Sequence, residues 1–542
     1  MFRGIKSIAV MASLGIGLFL IYGQHFYLDQ LIKYDDPFVV VPIQKIDSFS
    51  QYVSAVQKGV VPDLQPVRDL SIKINYLLEE WCGRPYFHQT NVLLFLIALL
   101  GIYFMLSEWF PRSPLGNVMV LHLIAFSPLY VSSVAWITAR KHLLALMFIV
   151  WATWFLLRYL KGEKRAIWGV SLMYAFSLLS HPMNIMWPVV SAIALLFFGS
   201  GRKIKVLFPS FLIALVLGLL NLKYYSSSYE FMSGGHAKFA DVEIHGIDSS
   251  LLMLGRYVFQ TFIPYWTSVG DYGFDSWQNL VGLGMIPVFF GLIGKAGGRR
   301  MLVLSLSGFI LLLFPVVARI TQHSGNDTYL LTGSIFLVFC AYHLFQERMK
   351  QVKLGKGISP AVMALLVIFL PFEVAYSRSK AWAWSDSLLI FKQAYEVEPS
   401  YPNQFSYAET LFFRGQYDKA FLIIKDLHDS YGMSPHLDGL IARLIIESPD
   451  FSDQQRLGYF DEYKLKSRVA RILRASIESR VGEYQIAFRR MSEAIEEPFS
   501  LNVEMLRCDW IEQQWIFACQ KAGVTSCEQL KIRFQGKCAH HP

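Results

Sequence analysis

The chain has 542 residues, of which 54% are hydrophobic and only 17% are charged. This composition is too apolar for a soluble protein of this length and indicates a polytopic membrane protein. The 50 Lys and Arg residues outnumber the 41 Asp and Glu residues, but they lie in short clusters between apolar segments, so we expect no nucleic-acid partner.

The first apolar segment covers about residues 5–23. It follows Arg3 and Lys6 and lacks a cleavage site of small residues, which indicates a retained helix with a cytoplasmic N-terminus. The loop 24–88, in which we expect amphipathic helices, then lies on the outer face. Ten further apolar segments follow, at about 89–108, 116–135, 141–159, 166–180, 184–199, 204–222, 278–294, 301–318, 328–346 and 358–376.

These segments predict an all-α fold with about eleven transmembrane helices over residues 1–376. The basic clusters at 158–165, 202–205, 295–300 and 348–356 support the count, since each lies in a short loop that this topology makes cytoplasmic. The segment 251–266 is the alternative twelfth span. It is broken by Arg256 and Pro264, so we interpret it as an interfacial or re-entrant segment of the outer face. The polar region after residue 377 then also lies outside.

That polar region carries a repeated pattern. The spacing G-x-Y-x-x-A, typical of the turn of a helical hairpin, begins at Gly415 and again at Gly482, 67 residues later. The separation is about twice the 34-residue period of tetratricopeptide repeats, which predicts such repeats over 377–500, with generic helical hairpins as the alternative. Repeats of this kind usually present a concave surface to a protein partner.

Cysteines are concentrated at the C-terminal end. Four of the six lie in the last 35 residues, namely Cys508, Cys519, Cys527 and Cys538. We predict a cysteine-containing cap over 501–542 with disulfides formed in an oxidising compartment, and the three pairings that four cysteines allow stay open. A zinc site is disfavoured because no two cysteines have the C-x2-C spacing.

Two polar clusters of the predicted outer face are candidate sites. Asp35 and Asp36, in LIKYDDPFVVVP, directly follow the first span and form either a desolvated general base or a polar turn. Arg140, Lys141 and His142 open the fourth span on the outer face, against the positive-inside tendency. Cations in that position indicate an anionic partner such as a phosphate, with a lipid-headgroup anchor as the alternative.

Later outer turns supply further candidates. His181 joins two spans and is either a site residue or a structural hydrogen-bonding group. Asp327 and Tyr329 lie at the start of a late span, where Asp327 also suits a helix cap. The loop 223–250 contains two histidines and two carboxylates, but their spacing is not diagnostic, so a metal stays unknown.

Taken in order, several motifs resemble the membrane O-mannosyltransferases with C-terminal tetratricopeptide repeats, which belong to the GT-C superfamily. They are the acidic pair in YDD, the P-x-x-H-x-x-N stretch from Pro85 through His88 to Asn91, the V-A-W-I-x-x-R stretch from Val134 to Arg140, the L-L-S turn at 178–180, Tyr329 with Leu330, and Trp382 or Trp384 before the repeats. The resemblance covers nearly the whole chain.

Other positions depart from that family. The chain has Ser132, His142, His181, Pro182, Asp327 and Thr328 where the family usually has charged residues. Several polar groups that bind a phosphate or a metal are therefore missing, while the acidic pair and Arg140 are kept.

The resemblance implies a glycosyltransferase that uses a polyprenyl-phosphate-linked sugar from the bilayer and an outer-face protein acceptor. Asp35 or Asp36 would deprotonate the acceptor hydroxyl, Arg140 would hold the leaving phosphate with Lys141, His142 or His181, and a divalent metal is a further cofactor candidate. Additional outer-face candidates are Arg68, His88, Asp327 and Tyr329.

The alternative is a catalytically degenerate scaffold of the same fold, whose repeats dock a membrane or envelope complex. The missing charged positions favour this alternative. Compact loops and short tails favour a bacterial inner membrane, with the repeats in the periplasm.

Overall fold

The computed structural model describes residues 2–28, 36–58, 61, 64–111, 113–197, 201–232, 247–266, 277–296, 303, 305–312, 327–351, 360–397, 399, 401–432, 435–449, 451–496, 508–524 and 527. Within these ranges every regular element is a helix and none is a strand. The chain divides into two compact units: residues 1–226 with 243–398, and residues 227–242 with 399–542.

The helices of the first unit are α1 (Phe2–Tyr22), α2 (Asp36–Gln44), α3 (Phe49–Gln57), α4 (Pro66–Cys82), α5 (Phe87–Trp109), α6 (Pro114–Phe126), α7 (Val131–Ala135), α8 (Arg140–Leu160), α9 (Ala166–Ser180), α10 (Trp187–Phe197), α11 (Phe208–Met232), α12 (Ile247–Phe262), α13 (Trp277–Ala296), α14 (Leu331–Gln351), α15 (Pro360–Ala383) and α16 (Ser387–Val397). Short 3-10 helices join some of them, including Gly23–Tyr27, Pro182–Asn184 and Asp327–Leu330.

Fewer helices can cross a bilayer than the sequence predicts. Five in the described part of the chain are long and apolar enough, at Ile8–Tyr27, Phe87–Trp109, Arg140–Leu160, Ile204–Asn221 and Thr328–Glu347. The pair Pro114–Phe126 and Pro128–Ala135, bent by 45°, makes a sixth if it is one span. The prediction of about eleven spans is therefore too high for these residues, although several apolar helices fit a membrane-embedded protein.

Helix length explains part of the difference. The predicted span at 278–294 lies in the 20-residue α13, of which Trp277–Ile293 is counted as apolar. The predicted spans at 166–180 and 184–199 form apolar helices of 10–17 residues. At about 1.5 Å of rise per residue, such helices fall short of a hydrocarbon core about 30 Å thick. The segment 251–266 likewise forms only the 16-residue α12 and a short 3-10 helix. Half of the predicted span 301–318 lies outside the described residues.

Helix α8 packs along α5 and α9. Hydrogen bonds from side chains to backbone and to other side chains reinforce the apolar contacts. Asn184 and Ser177 both donate to the carbonyl oxygen of Ala145, at 3.1 and 2.9 Å, and Trp187 donates to Thr153 at 2.9 Å. Such interhelical bonds stabilise helix pairs in a medium that offers little hydrophobic driving force.

The second unit contains α17 (Tyr401–Phe413), α18 (Tyr417–Tyr431), α19 (Pro435–Glu447), α20 (Asp453–Glu462), α21 (Arg468–Arg480), α22 (Tyr484–Glu496) and α23 (Cys508–Lys521). Gly415 and Gly482 have φ angles of 71° and 93°, which favour glycine, and each lies in the turn of a packed helix pair. The predicted hairpin turns are thus present, while their assignment to tetratricopeptide repeats stays a prediction.

Two further contacts stabilise this unit. The carboxylate of Glu478, only 3% exposed, accepts hydrogen bonds from Arg474 at 3.0 Å and from Arg490 at 3.0 to 3.1 Å. Cys519 and Cys527 form a disulfide. This bond belongs to one of the three pairings that the sequence leaves open. The side chain of Cys508 and the whole of Cys538 lie outside the described residues.

Candidate functional site

Arg140, the first residue of α8, is fully buried and bonded to two neighbouring helices. Its Nε donates to Oδ1 of Asn91 at 2.7 Å, and one terminal nitrogen donates to the carbonyl oxygen of Phe87 at 2.9 Å. The other terminal nitrogen donates to the carbonyl oxygen of Ser71 at 3.1 Å and to Oδ1 of Asn75. The guanidinium therefore connects the start of α8 with α4 and the start of α5.

These bonds use four of the five N–H donors of the guanidinium. A buried guanidinium stays charged and is tolerated only when protein acceptors replace its water. The described contacts thus give Arg140 a structural role. Its predicted role as a phosphate ligand stays a prediction.

Asp36 is also fully buried, as the first residue of α2. Its Oδ1 accepts the backbone N–H of Thr138 at 3.0 Å, and its charge interacts favourably with Arg140. Asp36 therefore fixes α2 to the turn that precedes α8. The neighbouring candidate, Asp35, lies outside the described residues.

The loop between the first two spans folds into α2, α3 and α4 over a small apolar core of its own. The phenol of Tyr76 donates to the carbonyl oxygen of Val40 at 3.3 Å, and burial, aided by the negative charge of Glu79, raises the pKa of Tyr76 to about 12. Like an ordinary tyrosine, it is neutral at physiological pH and can donate this hydrogen bond. This core holds α4 in place beside Arg140.

Arg68, another predicted candidate, lies on the buried face of α4. Its Nε contacts Oδ1 of Asp69 at 2.6 Å, and the hydroxyl of Tyr52 donates to Oδ2 of Asp69 at 2.8 Å. All three side chains are buried. Arg68 therefore takes part in an internal ion pair of α4.

His88 lies next to a histidine that the sequence reasoning missed. The rings of His88 and His25 are 5.2 Å apart, and Nε2 of His25 lies 2.8 Å from the carbonyl oxygen of Ala381 in α15. Both histidines are buried. The sequence did contain a signal for His25: it lies at the end of an apolar span, where a polar side chain requires a partner.

Three other candidates form a cluster of rings. The ring of His142 lies 4.5 Å from that of His181 and 5.0 Å from that of Tyr329. Nδ1 of His181 accepts the backbone N–H of Met183 at 3.2 Å. The neighbouring Lys141 is half-buried. Asp327 belongs to the 3-10 helix before α14, but its side chain lies outside the described residues.

The two tryptophans considered before the repeats differ in position. Trp384 is buried and stacks on Trp136 with ring centroids 5.4 Å apart, whereas Trp382 is 52% exposed. Trp384 is therefore the one that joins the cluster around the start of α8.

No metal site is assigned. The described residues contain no group of three or more His, Cys, Asp or Glu side chains that could hold an ion. The histidines and carboxylates of 236–245 lie outside them. A separate apolar cavity of about 370 Å³ lies between α12, α13 and α14, with Phe262, Met285, Phe289 and Leu344 in its lining.

The candidate residues thus separate into a buried group, made of Asp36, Arg68, His88 and Arg140, and a neighbouring ring cluster of His142, His181 and Tyr329. Comparison of the chain with protein-family models, with curated proteins and with solved structures gives no match.

Proposed function

We propose that this chain is a membrane glycosyltransferase that moves a sugar from a polyprenyl-phosphate donor to a protein acceptor. The supporting observation is the convergence of distant segments on the start of α8. Asp36 bonds to Thr138, Asn91 accepts from Arg140, Trp384 stacks on Trp136, and Tyr329 packs on His142. Clusters of polar and ionisable side chains within an apolar helical protein commonly mark a functional site.

The contacts suggest a different role for each of these residues. Arg140 and Asp36 are engaged with the protein, so in this proposal they position the site. Asp35 then takes the proton from the acceptor hydroxyl, whose oxygen attacks the anomeric carbon as the bond to the carrier phosphate breaks. Lys141, His142 and His181 stabilise the charge that develops on the leaving phosphate.

The test is transfer from a panel of polyprenyl-phosphate hexoses to membrane proteins by the purified full chain. Asp35→Asn should lower the rate by about 100-fold or more, as expected for loss of a general base. Glu80→Gln, which changes an exposed carboxylate of α4, is the matched control and should leave the rate unchanged. Full activity of Asp35→Asn would rule out this assignment of the base.

A second candidate function is a catalytically degenerate scaffold, and the contacts of Arg140 favour it. Arg140 already donates four hydrogen bonds to protein acceptors, and Asp36 is fully buried beside it. Arg140 and Asp36 therefore have little capacity left to bind a substrate. In this case the hairpins of the second unit dock a protein complex. Asp35→Asn would then leave the complex intact and change no glycan, whereas deletion of 399–542 would abolish the complex.

The proposed location is a bacterial inner membrane with the second unit in the periplasm. The disulfide between Cys519 and Cys527 supports an oxidising environment for that unit. A cysteine reagent that cannot cross the inner membrane, applied to whole cells after mild reduction, should label Cys527. Labelling only after the membrane is opened would place the unit on the cytoplasmic side.

A further inference from the structure

Helix α4 has two faces with opposite surroundings. Its inner face carries the buried side chains of Arg68, Asp69, Ile72, Asn75 and Tyr76. Its outer face carries a continuous row of large apolar side chains that are 36% to 87% exposed: Leu70, Ile74, Leu77, Leu78 and Trp81. We refer to this row as the α4 stripe.

The spacing of the α4 stripe follows helical geometry. At 100° per residue, its members fall within an arc about 100° wide, opposite the buried face. Isolated exposed leucines are ordinary, but an uninterrupted apolar row marks a surface that contacts a membrane or another protein. The stripe therefore requires a cover.

The position of α4 identifies that cover. Arg140, the first residue of the apolar span Arg140–Leu160, donates to the carbonyl oxygen of Ser71 and to Oδ1 of Asn75, near the middle of α4. It also donates to the carbonyl oxygen of Phe87, the first residue of the span Phe87–Trp109. The middle of α4 thus lies within the reach of one side chain from the starts of two spans.

The C-terminal end of α4 also lies close to the start of a span. Only residues 83–86 separate Cys82 from the start of the span at Phe87. Trp81, the most exposed member of the stripe, is of the residue type enriched where a bilayer meets water. An amphipathic helix at this level suits the interfacial layer, with its apolar face towards the acyl chains.

We propose that α4 lies in the interfacial layer of the bilayer and that phospholipid covers the α4 stripe. The same helix supplies the carbonyl oxygen of Ser71 and Oδ1 of Asn75 to Arg140, so contact with lipid holds two of the four acceptors of the guanidinium in place. This inference concerns a lipid surface and holds whether or not the chain transfers a sugar.

The test uses the full chain, reconstituted in vesicles of phosphatidylethanolamine and phosphatidylglycerol. A nitroxide is attached to Ile74→Cys or Leu77→Cys, with Cys82→Ser removing the exposed native thiol. Glu80→Cys on the same helix is the matched control. The collision rate of each label with oxygen, which concentrates in lipid, is compared with that of a water-soluble nickel chelate.

We expect the ratio of oxygen to nickel collisions to be several-fold higher at Ile74 and Leu77 than at Glu80. Equal ratios at all three positions would show that the α4 stripe faces water and would overturn the proposal. Low collision rates with both reagents at Ile74 and Leu77 would also overturn it, because they would show that a second copy or another protein covers the stripe. Each labelled variant is first checked for monodispersity.

Discussion

The burial of Arg140 leads to a prediction about stability. Arg140→Ala removes the donors to Asn91, Asn75, Ser71 and Phe87 together and leaves their oxygens buried without those partners. It also removes the positive charge that faces Asp36. A single buried acceptor left unsatisfied costs about 1–3 kcal/mol, and loss of one partner of a buried charge pair costs about 3–5 kcal/mol.

These contributions overlap, because small shifts of the backbone and entering water satisfy part of the freed oxygens. We therefore expect the free energy of unfolding to fall by about 4 kcal/mol in Arg140→Ala. Arg140→Lys should lose about half as much, since the ammonium keeps the charge but cannot reach acceptors on both α4 and α5. Lys141→Ala, which changes the half-buried neighbour, is the control and should cost about 0.5 kcal/mol or less.

The measurement is reversible unfolding of the purified full chain by sodium dodecyl sulfate in mixed micelles, followed by circular dichroism. A loss below about 1 kcal/mol in Arg140→Ala would refute the structural role, because it would fall within the range of an ordinary surface change. If sugar transfer nevertheless disappeared in that variant, the role of a phosphate ligand would be favoured instead.

Three further predictions concern other parts of the chain. Gly282→Ala should destabilise the packing of α12 on α13 by several kcal/mol, because the added Cβ would overlap a backbone carbonyl of α12. The control is Gly284→Ala, whose Cβ meets no atom within 4 Å and which should be neutral in the same unfolding assay. Glu478→Ala should expose the second unit to limited proteolysis, since it removes the carboxylate that Arg474 and Arg490 share. The cost should be about 1–3 kcal/mol, because both arginines are partly exposed and water replaces part of the lost contact. Peptide mapping without reductant should recover Cys519 linked to Cys527, and recovery of either cysteine as a free thiol from the native protein would contradict the pairing.

Several features of the fold follow from local sequence patterns. The helical class follows from long apolar runs that lack the alternation of strands, and every described element is helical. The turns at Gly415 and Gly482 follow from a spacing of a few residues, because only glycine adopts positive φ without strain. Among the described residues the number of spans was overestimated, in part because apolarity alone does not show whether a helix is long enough to cross the hydrocarbon core.

The candidate site could be predicted only in part. The sequence singled out Asp36 and Arg140 as chemically unusual for their surroundings, and both are buried, Asp36 at the start of α2 and Arg140 at the start of α8. It did not show that Asn91, Asn75, Ser71 and Phe87 supply the acceptors of Arg140, since these come from two other helices. His25 was missed for the same reason, because its ring neighbour and its hydrogen-bond partner are distant in the chain.

By itself, the sequence determined the properties that depend on neighbouring residues: the apolar helical class, the hairpin turns, and the presence of a carboxylate pair and a basic cluster beside apolar segments. The tertiary structure alone decided which tryptophan stacks on Trp136, which cysteine pairs with Cys519, and how the donors of Arg140 are used. The physical reason is that a buried charge must find acceptors within about 3 Å, and only the packing of helices from distant parts of the chain decides which acceptors those are.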